Sequence, residues 1–397
     1  NLAQLNRALL AASASEARAV REELAAARAE LAAFELRMSV AHPETARRPL
    51  VLADIPPPPA GTAVIEYVVL PERTIAFVSR RDQHGRPLLV ARQLPVSRTR
   101  LGAATDAFVR AIERLDFAVD DAGQAVRALV FDPLAADLQD VTNLRVVPSD
   151  VLWNVPFDAL RNADRSYLVD RFSISYTPAL SFQPDAPRTP PRTLLAVANP
   201  DTGVAARRGA NGLVPLDDAQ EEANAIGALY GRRGRVLTGA AATELAFKSD
   251  ARAYSVLHVA THGLLDDRAP LFSAVVLAPA GNDDGLLEAR EILGAGLRAE
   301  LLVLSACETG RGRIRQGEGM VGMTWAALAG GVSTVVVSQW KAESRSTRAL
   351  MIDFHRELLA GREKAEALAL AKRRLKRRPE FAHPFFWASF VAVGAAR

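Results

Sequence analysis

The chain has 397 residues, of which 49% are hydrophobic, 24% charged and 6% aromatic, and it carries a single cysteine, Cys307. That length supports two average domains or one large one with an appendage. One thiol excludes an internal disulfide, a cysteine-rich zinc site and an iron–sulfur ligand set. The net charge of +4 comes from 49 basic and 45 acidic side chains that are interspersed, which describes a mixed surface and no nucleic-acid stripe.

Residues 1–41 lack Gly and Pro and are rich in good helix formers. Val20, Leu24, Ala27, Leu31, Phe34 and Met38 repeat at coiled-coil spacing, and Leu2, Leu5 and Leu9 start a similar seam. This arm needs a partner helix, and a helical pattern already running at Asn1 reads as the end of something upstream. His42-Pro43 ends it, and prolines 56–59 read as a stiff linker. Strands are expected at 63–70, 74–79, 88–94, 144–147 and 172–176, with helices near 101–117 and 122–138. Pro178 to Pro191 reads as a second linker. Strands then alternate with helices: strands at 194–198, 235–237, 255–260, 274–277, 300–304, 333–337 and 386–393, helices at 217–230, from Thr243, at 288–293, 318–328, 346–359 and 362–377. That alternation predicts an α/β fold with a mostly parallel sheet flanked by helices. No apolar run reaches the ~20 residues of a membrane span, and the N-terminus has no signal-peptide core. A cytoplasmic protein away from membranes is the expectation.

In open α/β sheets ligands collect at the carboxyl ends of strands. The strand at 255–260 runs into Thr261-His262-Gly263, and the strand at 300–304 runs into Ser305-Ala306-Cys307-Glu308-Thr309-Gly310. If these strands are neighbours, an imidazole meets a thiol, which it can deprotonate for attack. Gly263 permits close backbone approach to an oxyanion, and Gly310 and Gly312 keep the following loop open. Taken alone, a cysteine at a strand end is more often a small buried hydrophobe. His258 reads as a packed core histidine. It forms an HxxxH pattern with His262, but on a strand residues four apart lie roughly 13 Å from each other, so no metal site is expected. Gly317 to Gly322 spells GxGxxG, yet too far beyond a strand for a dinucleotide fingerprint, and reads as a helix start with room for close packing. The run from Lys372 to Arg378 reads as the solvated last turn of a helix.

The stretch His258 to Gly263, followed by Leu304 to Gly310, resembles the CHAT domain, a bacterial branch of the caspase/separase-like cysteine peptidases. The likeness continues through Gly317-Glu318-Gly319, Ala327 to Gly331, Val335 to Trp340, Phe354 to Gly361, Ala365 to Ala371, His383-Pro384 and Trp387 to Phe390. It is strong over 254–394 and weaker over 50–180, where Val147-Pro148, Pro156-Phe157 and Tyr167-Leu168 look like a degenerate preceding half. The resemblance implies a caspase-like fold with three parts. Residues 1–45 would be a helical arm that ends an upstream TPR-type or coiled-coil region, 60–180 a pseudo-peptidase half, and 192–397 the active half. It implies His262 as general acid/base, Cys307 as nucleophile, and Gly263 with the Cys307 backbone as oxyanion hole, with no cofactor. The caspase tag is Q-A-C-x-G with its His about 50 residues upstream; here Ser305 replaces the Gln, so the match is CHAT-like.

Many relatives follow the strand at 333–337 with a tryptophan and an acidic pair that shapes the specificity pocket. Here the segment reads Gln339-Trp340-Lys341-Ala342-Glu343-Ser344. Gln339, Trp340 and Glu343 are the expected substrate-binding residues, while Asp266 and Asp267 read as solvated loop. The implied function is a cysteine endopeptidase cleaving a protein partner, regulated by upstream repeats and an activating partner. The competing expectation is a catalytically silent CHAT scaffold for protein–protein interaction.

Overall fold

The computed structural model describes Glu22 and Ala26, both helical, and residues 57–162, 164–179, 192–202, 213–266, 269–305, 307–308 and 318–395, with the backbone alone at 307–308 and 318–321. The seam at 1–41, His42-Pro43, most of Pro178 to Pro191, Asp267, Gly310, Gly312 and Gly317 lie outside the described residues.

The strands are β1 (Thr62–Val69), β2 (Thr74–Arg81), β3 (Pro87–Leu94), β4 (Asn143–Val147), β5 (Ser173–Tyr176), β6 (Leu194–Pro200), β7 (Gly234–Gly239), β8 (Val256–Ala260), β9 (His262–Leu264), β10 (Ala274–Val276), β11 (Leu286–Glu288), β12 (Leu301–Leu304), β13 (Cys307–Glu308), β14 (Thr334–Ser338) and β15 (Phe390–Gly394). The α-helices are α1 (Arg98–Glu113), α2 (Val119–Val130), α3 (Leu168–Arg171), α4 (Asp217–Tyr230), α5 (Glu244–Asp250), α6 (Ala289–Gly294), α7 (Glu318–Ala329), α8 (Ser344–Leu359), α9 (Lys364–Leu375) and α10 (Pro384–Trp387).

Eleven strands form one sheet in the order β3-β2-β1-β4-β5-β15-β14-β12-β8-β6-β7. Pairing is parallel except at β1/β2, β2/β3 and β14/β15. The expected mostly parallel sheet is therefore what forms, and the two halves share it through Val393 of β15 opposite Tyr176 of β5. Every residue of β8, β12 and β14 is buried. Such strands read as near-continuous Val and Leu because helices cover both faces. α8 packs on α4 and α9 over one face, and α7 packs on α6 and β14 over the other. Tyr67, Phe108, Phe157, Phe172 and Tyr176 are buried in the core of the first half.

Helix termini follow local chemistry. Ser97 caps α1 by accepting from Arg100 N, and Thr243 caps α5 by accepting from Ala246 N. The helix expected at 122–138 ends at Val130 and continues as a 3₁₀ turn, Asp132–Leu138, because Pro133 cannot supply an α-helical hydrogen bond. The strand expected at 386–393 begins only at Phe390. Pro384 occupies the first turn of α10, capped by His383, whose Nδ1 accepts from Phe385 N. At Gly322 in α7 a Cβ would stand 2.5 Å from Cβ of Pro270, which is the close packing expected of the GxGxxG stretch.

The basic run at 372–378 is only in part the solvated turn expected: Arg374, Arg377 and Arg378 are exposed, but Lys372, Arg373 and Lys376 turn inward. Lys372 is buried and its Nζ lies 2.8 Å from Oδ2 of Asp158. Arg373 donates to the carbonyls of Val169 and Phe172, and Lys376 pairs with Asp170. These cations face the first half of the sheet and tie it to the second.

Candidate active site

β8 and β12 are adjacent, with Val259 opposite Leu304, so their carboxyl ends leave the sheet side by side. After β8 the chain turns at Thr261, whose Oγ1 donates to the Val276 carbonyl at 2.6 Å, and enters β9. After β12, Ser305 N donates to the Val259 carbonyl at 2.9 Å, and the backbone enters β13. β9 and β13 run parallel, with Cys307 opposite His262 and Glu308 opposite Gly263. Strands paired in this way lie about 4.8 Å apart. The ladder thus brings the backbones of His262 and Cys307 together. Gly263 also faces Val275 of β10 on its other side.

The His262 ring is buried, and its Nε2 lies 2.7 Å from the Val214 carbonyl oxygen. A carbonyl can only accept, so Nε2 carries the proton and Nδ1 is the basic nitrogen. Val214 precedes Pro215, which biases it toward extended backbone. The segment is pinned by Leu216 N donating to Oδ1 of Asn199 at 2.7 Å before it enters α4. This carbonyl is a partner of His262 that residue types do not reveal; Pro215 is the faint signal for it.

His258 is fully buried, as expected of a core histidine, but it is not surrounded by apolar groups alone. Its Nε2 lies 2.9 Å from Oε1 of Glu222 and its Nδ1 3.2 Å from Nε2 of His355. His258 and His262 therefore engage separate partners. Among the described residues, no group of three His, Cys, Asp or Glu side chains is placed to hold a metal ion.

The three expected substrate-binding residues separate. Gln339 and Trp340 line an apolar pocket of about 100 Å³ with Trp153, Tyr176, Trp325 and Val391, on the face covered by α7. Trp340 is buried and donates from Nε1 to the Phe385 carbonyl at 3.1 Å. Gln339 donates from Nε2 to the Trp153 carbonyl at 2.9 Å, while its Oε1 is buried with no donor among the described residues. Glu343 stands outside that lining and caps α8, its Oε2 accepting from Ser346 N at 2.7 Å. Asp266 accepts from Ala269 N within its own loop.

A family model described as the CHAT domain matches residues 120–395. Tetratricopeptide repeat protein 28 of Mus musculus is 28% identical over 295 residues, which is 62% of this chain and 12% of that protein. The Homo sapiens protein of the same name is 25% identical over 293 residues, again 62% of this chain and 12% of its own length. The chain thus spans a small part of the curated relatives it matches. The crystal structure of the Saccharomyces cerevisiae separase–securin complex superposes with a TM-score of 0.51 at 10% identity, covering 84% of this chain and 30% of that one. At that identity the likeness is one of fold, and the fold is caspase-like. With the match extending through both halves of the sheet, the chain belongs to the CHAT domain family.

Proposed function

We propose that this chain is a cysteine endopeptidase acting on a protein partner, with Cys307 as nucleophile and His262 as general acid/base. The observation that carries this reading is the pairing of Cys307 opposite His262 in a parallel ladder, with Nε2 of His262 already committed to the Val214 carbonyl. Nδ1 then takes the thiol proton and the thiolate attacks the scissile carbonyl. The N–H groups of Gly263 and Cys307 receive the developing oxyanion. The imidazolium protonates the leaving amine, and a water deprotonated by the same nitrogen releases the acyl group from sulfur. The Val214 carbonyl serves as the orienting third group, so no carboxylate is required.

A substrate side chain would lodge in the pocket beside Gln339 and Trp340. Its walls are mostly apolar, with Asn154, Thr324, Ser338 and Gln339 as polar members of the lining. Glu343 is engaged at the start of α8, which favours an apolar or aromatic substrate residue over a cation. Residues 60–180 would act as a pseudo-peptidase half buttressing 192–397. The names of the mammalian relatives support an upstream TPR-type regulator, and the separase–securin complex supports a protein partner on this fold. A reducing cytoplasm suits the free thiol.

A peptide-library screen of wild type against Cys307→Ala tests the reading. Cleavage is expected in wild type and reduced by about 10³-fold or more in Cys307→Ala at unchanged melting temperature. Cleavage persisting in the variant overturns it. A folded wild type that binds partners but cuts no peptide favours a CHAT scaffold instead.

A further inference from the structure

Beneath β8, four side chains form one hydrogen-bonded chain. Oε1 of Glu222 lies 2.9 Å from Nε2 of His258, Nδ1 of His258 lies 3.2 Å from Nε2 of His355, and Nδ1 of His355 lies 3.0 Å from Oη of Tyr230. Glu222 is 3% exposed, Tyr230 2%, and both histidines 0%. Burial, reinforced by the adjacent His258, holds His355 well below the usual imidazole range, so this ring is neutral and offers one donor and one acceptor. A buried polar chain of this kind stabilises little more than a well-packed apolar replacement would. What it adds is a fixed register between α4, β8 and α8.

The segment 214–230 is hydrogen-bonded to the strand run 256–264 at two described points. One is Glu222 on His258. The other is the Val214 carbonyl, just before α4, on His262, four residues beyond His258. His262 follows the turn at Thr261, so the two contacts lie on successive strands, β8 and β9. A 2.7 Å hydrogen bond is lost when the carbonyl moves by about 1 Å. We infer that Glu222 and His258 are positioning residues: by locking α4 to β8 they hold the Val214 carbonyl on Nε2 of His262 and keep Nδ1 as the base facing Cys307. The inference rests on the Cys–His reading and supplies what orients the imidazole.

Iodoacetamide alkylation of Cys307, the sole thiol, reads the dyad without a substrate. A rate-against-pH profile that is the same in wild type and His262→Ala overturns the dyad itself, independently of the network. With the dyad in place, Glu222→Leu is expected to slow alkylation at pH 7 by about tenfold or more and move the inflection toward that of a free thiol. Glu222→Gln keeps an acceptor for His258 and is expected to stay within about threefold of wild type. Melting temperatures are measured alongside. If Glu222→Leu does not fold, Glu222→Asp decides, because it withdraws the acceptor by one methylene: slowed alkylation in the folded variant supports the inference. A network that only stabilises would lower the melting temperature of Glu222→Asp and leave its alkylation profile at wild type, and that result overturns the inference.

Discussion

His262 takes its orientation from a main-chain carbonyl, and that choice of partner settles which ring nitrogen is free. A carboxylate in the same place would leave a residue type in the sequence; a peptide oxygen does not, because every residue has one, and Pro215 after it is only a faint signal. The pair His262 and Cys307 was legible because their residue types stand at strand ends, whereas Val214 was not. The partners of His258 were equally hidden, since Glu222 and His355 sit on helices whose apolar periodicity gives no hint of what their polar members face. One consequence is a pH dependence of stability. His355 is depressed by burial from its ordinary 6.5, so below that pH the unfolded chain binds a proton that the native chain refuses. Stability is therefore fully present above about pH 6.5 and falls with a slope approaching about 1.4 kcal/mol per pH unit as the pH drops toward the lowered native value. Half-buried His383, also lowered chiefly by burial, acts in the same direction with less weight because solvent screens it. Urea unfolding of wild type and His355→Gln from pH 7.5 to 5.5 measures this, and the variant is expected to show the flatter limb.

Elements were legible in proportion to their length. α4 falls on its expected bounds, and the Thr243 cap on α5 follows from the hydroxyl alone. The strands that assemble the candidate site, β9 and β13, are three and two residues long. Alternation cannot be read in so short a stretch, and their pairing depends on where β8 and β12 happen to end. The end of α7 shows the opposite situation, in which one residue type is dictated by space. Gly331 has φ +104°, and a Cβ on it would stand 2.1 Å from the Leu297 carbonyl oxygen. That close approach lets the chain turn directly from α7 into β14, whose carboxyl end carries Gln339. Gly331→Ala is expected to cost about 2–4 kcal/mol, read as a shift in urea midpoint, because it adds both a strained φ and a clash with backbone.

At the scale of the whole molecule, the two halves are one sheet. β5 pairs with β15, and the Lys372–Asp158 ion pair crosses between them at 2.8 Å with both side chains almost fully buried. Such a pair adds little over apolar packing, but breaking it strands a charge in the interior. Lys372→Met is expected to lower stability by about 3–5 kcal/mol, and adding Asp158→Leu to recover much of that loss. Because the halves share a sheet, both variants should still unfold in a single transition by circular dichroism and tryptophan fluorescence alike. The amino-acid sequence by itself determined the alternation of strands and helices, the parallel character of the sheet and the two reactive residue types, since burial on both faces and the chemistry of a thiol and an imidazole are written in residue identity. Only the tertiary structure decided that Lys372 turns inward, that a peptide carbonyl orients His262, and that Glu222 reaches His258. Each of these depends on which groups distant in the chain become neighbours, and a charge or a carbonyl has no fixed partner until packing removes the water that would otherwise serve.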